Sequence, residues 1–249
     1  MNEMSPLPTA PDLIGQRVLV LDKGWIELID LMPHPLSGVS GDLAIVNAAR
    51  TSFLGESKGP EADKKLLFYL LRHRHTSPFE MVEFKFRVYA PVVTFWQWVR
   101  HRTWSFSAAS GRYTEYDMEA MYEIGADQWR RQASDNKQAS DGTLDVEQGQ
   151  TFRDKLLEHQ AASFRLYEEA LAAGVARELA RLFLPGFALY TTWVAKIDAH
   201  NLMAFLRLRM ASDAQYEIRA YADAIYTHFF KPALPWTAEA FDQFIIKGK

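Results

Sequence analysis

Cysteine occurs nowhere in the 249 residues. Its absence excludes disulfides, thiolate metal sites and every mechanism built on a cysteine nucleophile, and it favours the cytoplasm. No apolar run approaches the ~20 residues of a membrane-spanning helix. The opening MNEMSPLPTAPD lacks a basic segment followed by an apolar one, so a soluble, unexported protein is expected. Neither GxGxxG nor GxxxxGK[ST] occurs, which argues against a doubly wound nucleotide-binding fold. A surplus of one charge sign is missing too. A net charge of −3 gives no general attraction for nucleic acid or acidic membrane, so any anion must be held by local clustering.

One further absence is local. Between Phe84 and Thr114 there is no Asp or Glu, yet that stretch carries Lys85, Arg87, Arg100, Arg102 and Arg112 together with His101. These cations need solvent or an anion from elsewhere.

What is present reads as one domain. Hydrophobic residues make up 48% of the chain, enough for a sizeable core, and a single core is common at this length. Residues 1–14, Pro-rich and polar, read as a flexible tail, and 15–249 as the domain. RVLVLD (17–22) and VEFKFRVY (82–89) alternate as strands, the second with Val82, Phe84, Phe86 and Val88 inward. A helix is expected from Pro60 to His75, with Leu66, Leu67, Leu70 and Leu71 as its apolar stripe. Ser77, three residues before Glu80, offers a fresh start signal. Pro91 opens another helix, reaching Trp104, with Val92, Phe95, Trp96 and Val99 buried. The polar residues 130–150 read as a long loop, a feature that is usually functional or disordered. Beyond Thr151 helices dominate: 151–173 closed by Gly174, VARELARLFL before Pro185, 199–210 and 213–230, with ALYTTWVAKI a strand between them. Strands that are few and do not alternate regularly with helices predict an α+β fold.

If 91–104 is helical, Trp96, Arg100 and Trp104 share one face and Gln97 and His101 another. With ~100° between neighbours, Arg100, His101 and Arg102 must serve more than one group, or more than one subunit. Exposed, such arginines are ordinary surface charges with their stems on tryptophan. Buried without a partner, each costs ~3–5 kcal/mol, and phosphate is a natural bidentate partner. Ser110, Gly111 and Arg112 read equally as a turn or as a phosphate cradle. Ser110 has no neighbouring base that would make it a nucleophile. His73 and His75 diverge on a helix, which disfavours metal and leaves a capping, buried or ligand-contacting role. Arg181 in ELARLFLP and Arg209 in FLRLR interrupt apolar stretches, where helix-surface arginines near a C-terminal end are ordinary.

Arg100-His101-Arg102, seven residues and then Ser110 match the signature of the flavin-dependent thymidylate synthases. The chain resembles that family from LDKGWIELID through AARTSF, HTSPFE, FWQWVRHR, SGRY, NKQ, LARLFLP, NLMAFLRLR and AQYEI to PWTAEAF. The resemblance implies a homotetramer of the thymidylate synthase-complementing type, α+β with a mainly antiparallel sheet and long helices, binding FAD where subunits meet. It implies conversion of dUMP to dTMP with 5,10-methylenetetrahydrofolate as carbon donor and NADPH or NADH as reductant, yielding tetrahydrofolate. By the same resemblance Ser52, His75, Ser77, Glu80, Arg100, His101 and Arg102, with Asp198 and His200, form the FAD environment. Gln97, Arg100, Ser110, Gly111, Arg112, Arg181 and Arg209 hold dUMP, and no metal takes part. Methylating uracil at C5 needs a nucleophile added at C6 or another activation of the ring. With cysteine absent, the resemblance gives that role to Arg209, stabilising negative charge at N3 and O4. Nucleic acid and membrane are not expected partners.

The sequence departs from the commoner family pattern in places. Ser107 and Ala108 stand where many members have Asn-Glu, so a carboxylate contact to ligand is lost there. Asp198 and His200 stand where some have Asn and Arg, and Asp213 where some have His. The segment from Asn136 to Gln138 resembles a family loop near the site and is expected to order when ligand binds.

Overall fold

The computed structural model describes residues 13–52 and 54–248. Strands β1 (Arg17–Val20), β2 (Gly24–Met32), β3 (Glu83–Pro91), β4 (Ser105–Ala108), β5 (Arg130–Gln132), β6 (Ser140–Thr143) and β7 (Tyr190–Asp198) form two antiparallel sheets. The large one has the order β1-β2-β3-β7-β4, and β5 and β6 make a separate hairpin. Between and after the strands lie α1 (Gly41–Thr51), α2 (Pro60–Arg72), α3 (Val92–Trp98), α4 (Val146–Ala172), α5 (Arg177–Ala180), α6 (Ala199–Arg209), α7 (Tyr216–Ile225), α8 (Lys231–Ala233) and α9 (Pro235–Phe241). The fold is α+β, as expected.

β3 is central, and its alternation is followed strictly: Val82, Phe84, Phe86 and Val88 are wholly buried, while Lys85 and Arg87 point to solvent. Their inward face joins Ala195 and Ile197 of β7 to Phe205, Tyr221, Phe229 and Phe230 in one core. A smaller core, including Met121, Tyr122, Phe164 and Tyr167, lies under α4. Burying a side chain of this size stabilises by ~1.5–3 kcal/mol, so the helical layer over β3 and β7 is the main support of the sheet. The first dozen residues of the expected tail fall outside the described residues. Leu13 and Ile14, assigned to its end, are half-buried against the main core.

Several elements differ from expectation. The helix after Pro91 ends at Trp98, not near Trp104. Trp98 is its fully buried tryptophan, and Trp96 is 58% exposed. The cause is Trp104. Turns with His101 N–H donating to Trp98 O (3.0 Å) and Trp104 N–H to His101 O (3.3 Å) fold the chain back. That reversal lets Trp104 pack on Trp98, Phe205 and Phe86 and leads into β4, paired with β7. Trp96, Arg100 and Trp104 therefore share no helical face.

Ser77 caps nothing. Residues Ser77–Met81 form a short 3-10 turn held by buried Pro78 and Phe79. Residues 130–150 are structured. The Gln132 amide donates to the carbonyls of Asn136, Lys137 and Ala139 across the hairpin, and α4 starts at Val146, capped by Asp145 accepting from Gln148 N–H at 2.9 Å. VARELARLFL yields only the short α5 and a 3-10 turn, Arg181–Phe183. Gly174 does close α4, at φ 82°.

Candidate active site

Arg209 sits in the last turn of α6, placed there by the buried Leu202, Phe205 and Leu206 along the same helix. Its Nε–H donates to His101 Nε2 at 2.8 Å, Nη2 to the Gln97 carbonyl at 3.1 Å and Nη1 to Gln97 Oε1 at 3.4 Å. Gln97 lies at the end of α3 and His101 in the turn that follows, four residues on. The His101 ring stands edge-on to Phe205, with centroids 4.9 Å apart. Burial, aided by the Arg209 cation, pushes the His101 imidazolium down to about 4, so the ring is neutral and its Nε2 accepts. Burial also lowers the Arg209 pKa, but a guanidinium keeps its charge. Three of its five N–H groups are engaged, all by neutral acceptors. Among the described residues Arg209 has no ion pair, nor do Arg100, Arg102 and Arg181. A half-buried cation without an acidic partner among the described residues has the chemistry to hold an anion.

A second group surrounds the 3-10 turn. His75, Ser77 and Glu80 lie on it or just before it, with Glu80 exposed, and the turn packs against α1, which Ser52 terminates, and α6. Ala199 N–H donating to Val82 O at 2.8 Å ties the start of α6, with Asp198 and His200, to the same region. The Asp198 carboxylate is already engaged, accepting from Asn201 N–H at 2.9 Å and Asn201 Nδ2 at 2.7 Å.

The third group is Ser110, Gly111 and Arg112, with Arg181. Ser110 Oγ accepts from Arg112 N–H at 3.3 Å, so the segment is a turn stabilised by its own hydroxyl. Gly111 packs closely there: a Cβ would lie 2.6 Å from the ring of Tyr116, which would have to shift. Tyr116 in turn is fixed by its N–H donating to Tyr167 Oη at 3.1 Å and feels the Arg181 cation. The local lack of acids does not hold in space for every cation. Arg112 lies 3.3 Å from Glu178, and Arg87 lies 3.9 Å from Glu27. Arg100 and Arg102 remain without such partners among the described residues. Sequence reasoning missed Tyr116 and Glu178. The glycine in SGRYTEY is the one hint of the tyrosine, and nothing local signals an acid so far along the chain from Arg112.

No hydrogen bond or ion pair among the described residues joins the three groups directly. The second and third are linked to Arg209 through elements, with exposed Trp96 meeting exposed Phe187, 5.8 Å between rings, at the junction of α3 and the segment after Arg181.

Residues 28–236 match the family described as thymidylate synthase complementing protein. The flavin-dependent thymidylate synthase of Thermus thermophilus is 45% identical over 229 residues, 92% of this chain and 79% of that protein. The enzyme of the same description from Thermosipho africanus is 42% identical over 92% of this chain and 95% of its own. That from Dictyostelium discoideum is also 42% identical, over 90% of this chain and 73% of its own. The structure resembles the UMP/dUMP methylase PolB of Streptomyces cacaoi bound with 5-Br dUMP, with a TM-score of 0.78 and 31% identity over 91% of this chain and 97% of that one. With a family match over most of its length and relatives of this identity, the chain belongs to the flavin-dependent thymidylate synthase family.

Proposed function

We propose that the chain methylates dUMP to dTMP, with 5,10-methylenetetrahydrofolate as carbon donor and FAD, reduced by NADPH or NADH, as redox cofactor. The C5 proton of uracil is lost, the methylene carbon is joined to C5 and released from folate, and one hydride equivalent completes the methyl group, leaving tetrahydrofolate. The observation that carries the reading is Arg209: a half-buried guanidinium held by three neutral acceptors, in a chain with no cysteine to attack C6. Its charge is left to stabilise the electron density that builds on N3 and O4 as C5 becomes nucleophilic. Gln97, next to it, supplies amide contacts to the pyrimidine. Ser110, Gly111, Arg112 and Arg181 take the 5′-phosphate, for which Arg112 exchanges Glu178.

The residues present fit a flavin dinucleotide. Arg100 and Arg102 are cations without an acidic partner among the described residues, suited to a pyrophosphate, and Ser52, His75, Ser77, Glu80 and His200 offer hydroxyl, imidazole and carboxyl groups to the remaining polar edges. When bound, the flavin supplies the hydride. Separate, outward-facing groups within one chain, with apolar Trp96, Leu182 and Phe187 exposed between them, support a homotetramer whose sites are completed by neighbouring copies. Among the described residues no helix is long and apolar enough to cross a membrane, and the cytoplasm is the proposed location.

The test is the absorbance spectrum of purified protein with added FAD, followed by dUMP titration of the flavin band and tritium release from dUMP labelled at C5. Flavin binding perturbed by dUMP, with release, is expected. Protein that binds no flavin under any condition overturns the reading.

A further inference from the structure

We infer that His101 is a positioning residue for Arg209: its neutral Nε2 accepts the Arg209 Nε–H and fixes the guanidinium while leaving its charge, and two of its N–H groups, for the pyrimidine. This rests on the reading of Arg209 given above and adds to it how the arginine is held.

The geometry is specific. The Nε–H bond at 2.8 Å is the shortest of the three that Arg209 makes, and it fixes the one guanidinium hydrogen that cannot be exchanged by rotating the group about its own axis. Acceptance at Nε2 requires the ring proton on Nδ1, and the edge-on contact with Phe205 pins the ring plane. Gln97 holds the other side through its backbone and side chain. The groups shown facing the imidazole are thus Arg209 and Phe205, both from α6, while the His101 backbone N–H donates to the Trp98 carbonyl of α3. The only charge among them is the guanidinium it holds. A carboxylate in place of His101 would grip Arg209 harder, but it would cancel the charge needed at the ring. A neutral acceptor fixes orientation without that loss.

The proposal is tested by a double-mutant cycle in protein saturated with FAD, reading dUMP affinity from the flavin band and turnover from tritium release. His101→Phe keeps a ring and removes the acceptor; it is expected to weaken dUMP and slow turnover by about ten- to a hundred-fold. His101→Gln, which restores a neutral acceptor, is expected to recover most of that. In an Arg209→Lys background, His101→Phe is expected to change dUMP affinity by less than about twofold. Losses that multiply instead show that His101 acts independently of Arg209 and overturn the inference. Nitrogen-15 spectra of the wild-type imidazoles give a check that needs no variant to fold. An unprotonated Nε2 on His101 agrees with it, and a protonated Nε2 overturns it. Wild-type protein whose flavin band ignores dUMP overturns the functional reading, whereas normal binding with an uncoupled cycle removes only this inference.

Discussion

Asp42, in the first turn of α1, is joined to Thr237, in the first turn of α9, across 195 residues of sequence: one carboxylate oxygen accepts both the Thr237 N–H at 3.1 Å and its hydroxyl at 2.6 Å. The other oxygen accepts from Trp236 N–H at 2.7 Å. The side chain is fully buried, and burial, outweighing these three donors, pushes its pKa up to about 6. A raised carboxyl contributes stability that is fully present below the unfolded value near 3.8 and is lost as pH rises through about 6. The melting temperature is therefore expected to fall between about pH 4 and pH 6, by a contribution on the order of 3 kcal/mol at most. Asp42→Asn should lower stability at pH 5, where an amide nitrogen meets the Trp236 N–H, and should remove this slope. Thermal melts across that range check both.

Arg50 and Asp63 form a buried ion pair, at 2.5 Å between α1 and α2. Burial opposes the Asp63 charge, but hydrogen bonds from Ser57, Arg50 and the Lys58 N–H overcome it and hold the pKa below its usual value. That stability is present above pH 3.8 and is lost as pH falls through the lowered value. Asp63→Ala strands the Arg50 cation, whose Nε already has no partner. A loss of about 3–5 kcal/mol is expected, seen as a melting temperature lower by roughly 10 °C.

Gly111→Ala places a methyl group 2.6 Å from the Tyr116 ring. It is expected to cost about 1–3 kcal/mol and to weaken dUMP binding by moving the Ser110–Arg112 turn. Adding Tyr116→Ala removes the clash and should return part of the dUMP affinity. Calorimetry and flavin-band titration measure the two effects separately.

Arg209→Ala is expected to lower turnover by about a hundred-fold or more, with a smaller change in dUMP affinity, because in the role proposed for it the charge stabilised is larger in the transition state than in bound dUMP. Normal turnover with weakened dUMP would reduce Arg209 to a binding group.

The central strand and the long helices are plain in the sequence. β3 alternates without fault, and α4 ends at a glycine with positive φ. β2 is not legible there because its register shifts between Leu28 and Asp30, breaking the two-residue period on which such a reading depends. The span of α3 is overestimated because Trp104, 3.6-periodic with Trp96 and Arg100 on paper, gains more by folding back onto Trp98 and Phe205 than by extending a helix. Among the site residues, Gln97, His101 and Arg209 meet only in three dimensions. Their spacing in the chain, 108 residues from His101 to Arg209, holds no local physical signal. The resemblance to a family, and not periodicity, singles them out, His101 for the FAD environment and Gln97 and Arg209 for dUMP.

β3 and β7 run side by side over their whole length, Glu83 against Asp198 and Pro91 against Tyr190. The two middle strands of the sheet therefore come from parts of the chain roughly a hundred residues apart, a long-range pairing of the kind that slows folding. On the ribosome β3 must wait, its phenylalanines uncovered, until most of the polypeptide has been made. β4 waits for the same partner. The sheet that supports the site is thus completed late, and a newly made chain is at its most vulnerable to aggregation in that interval.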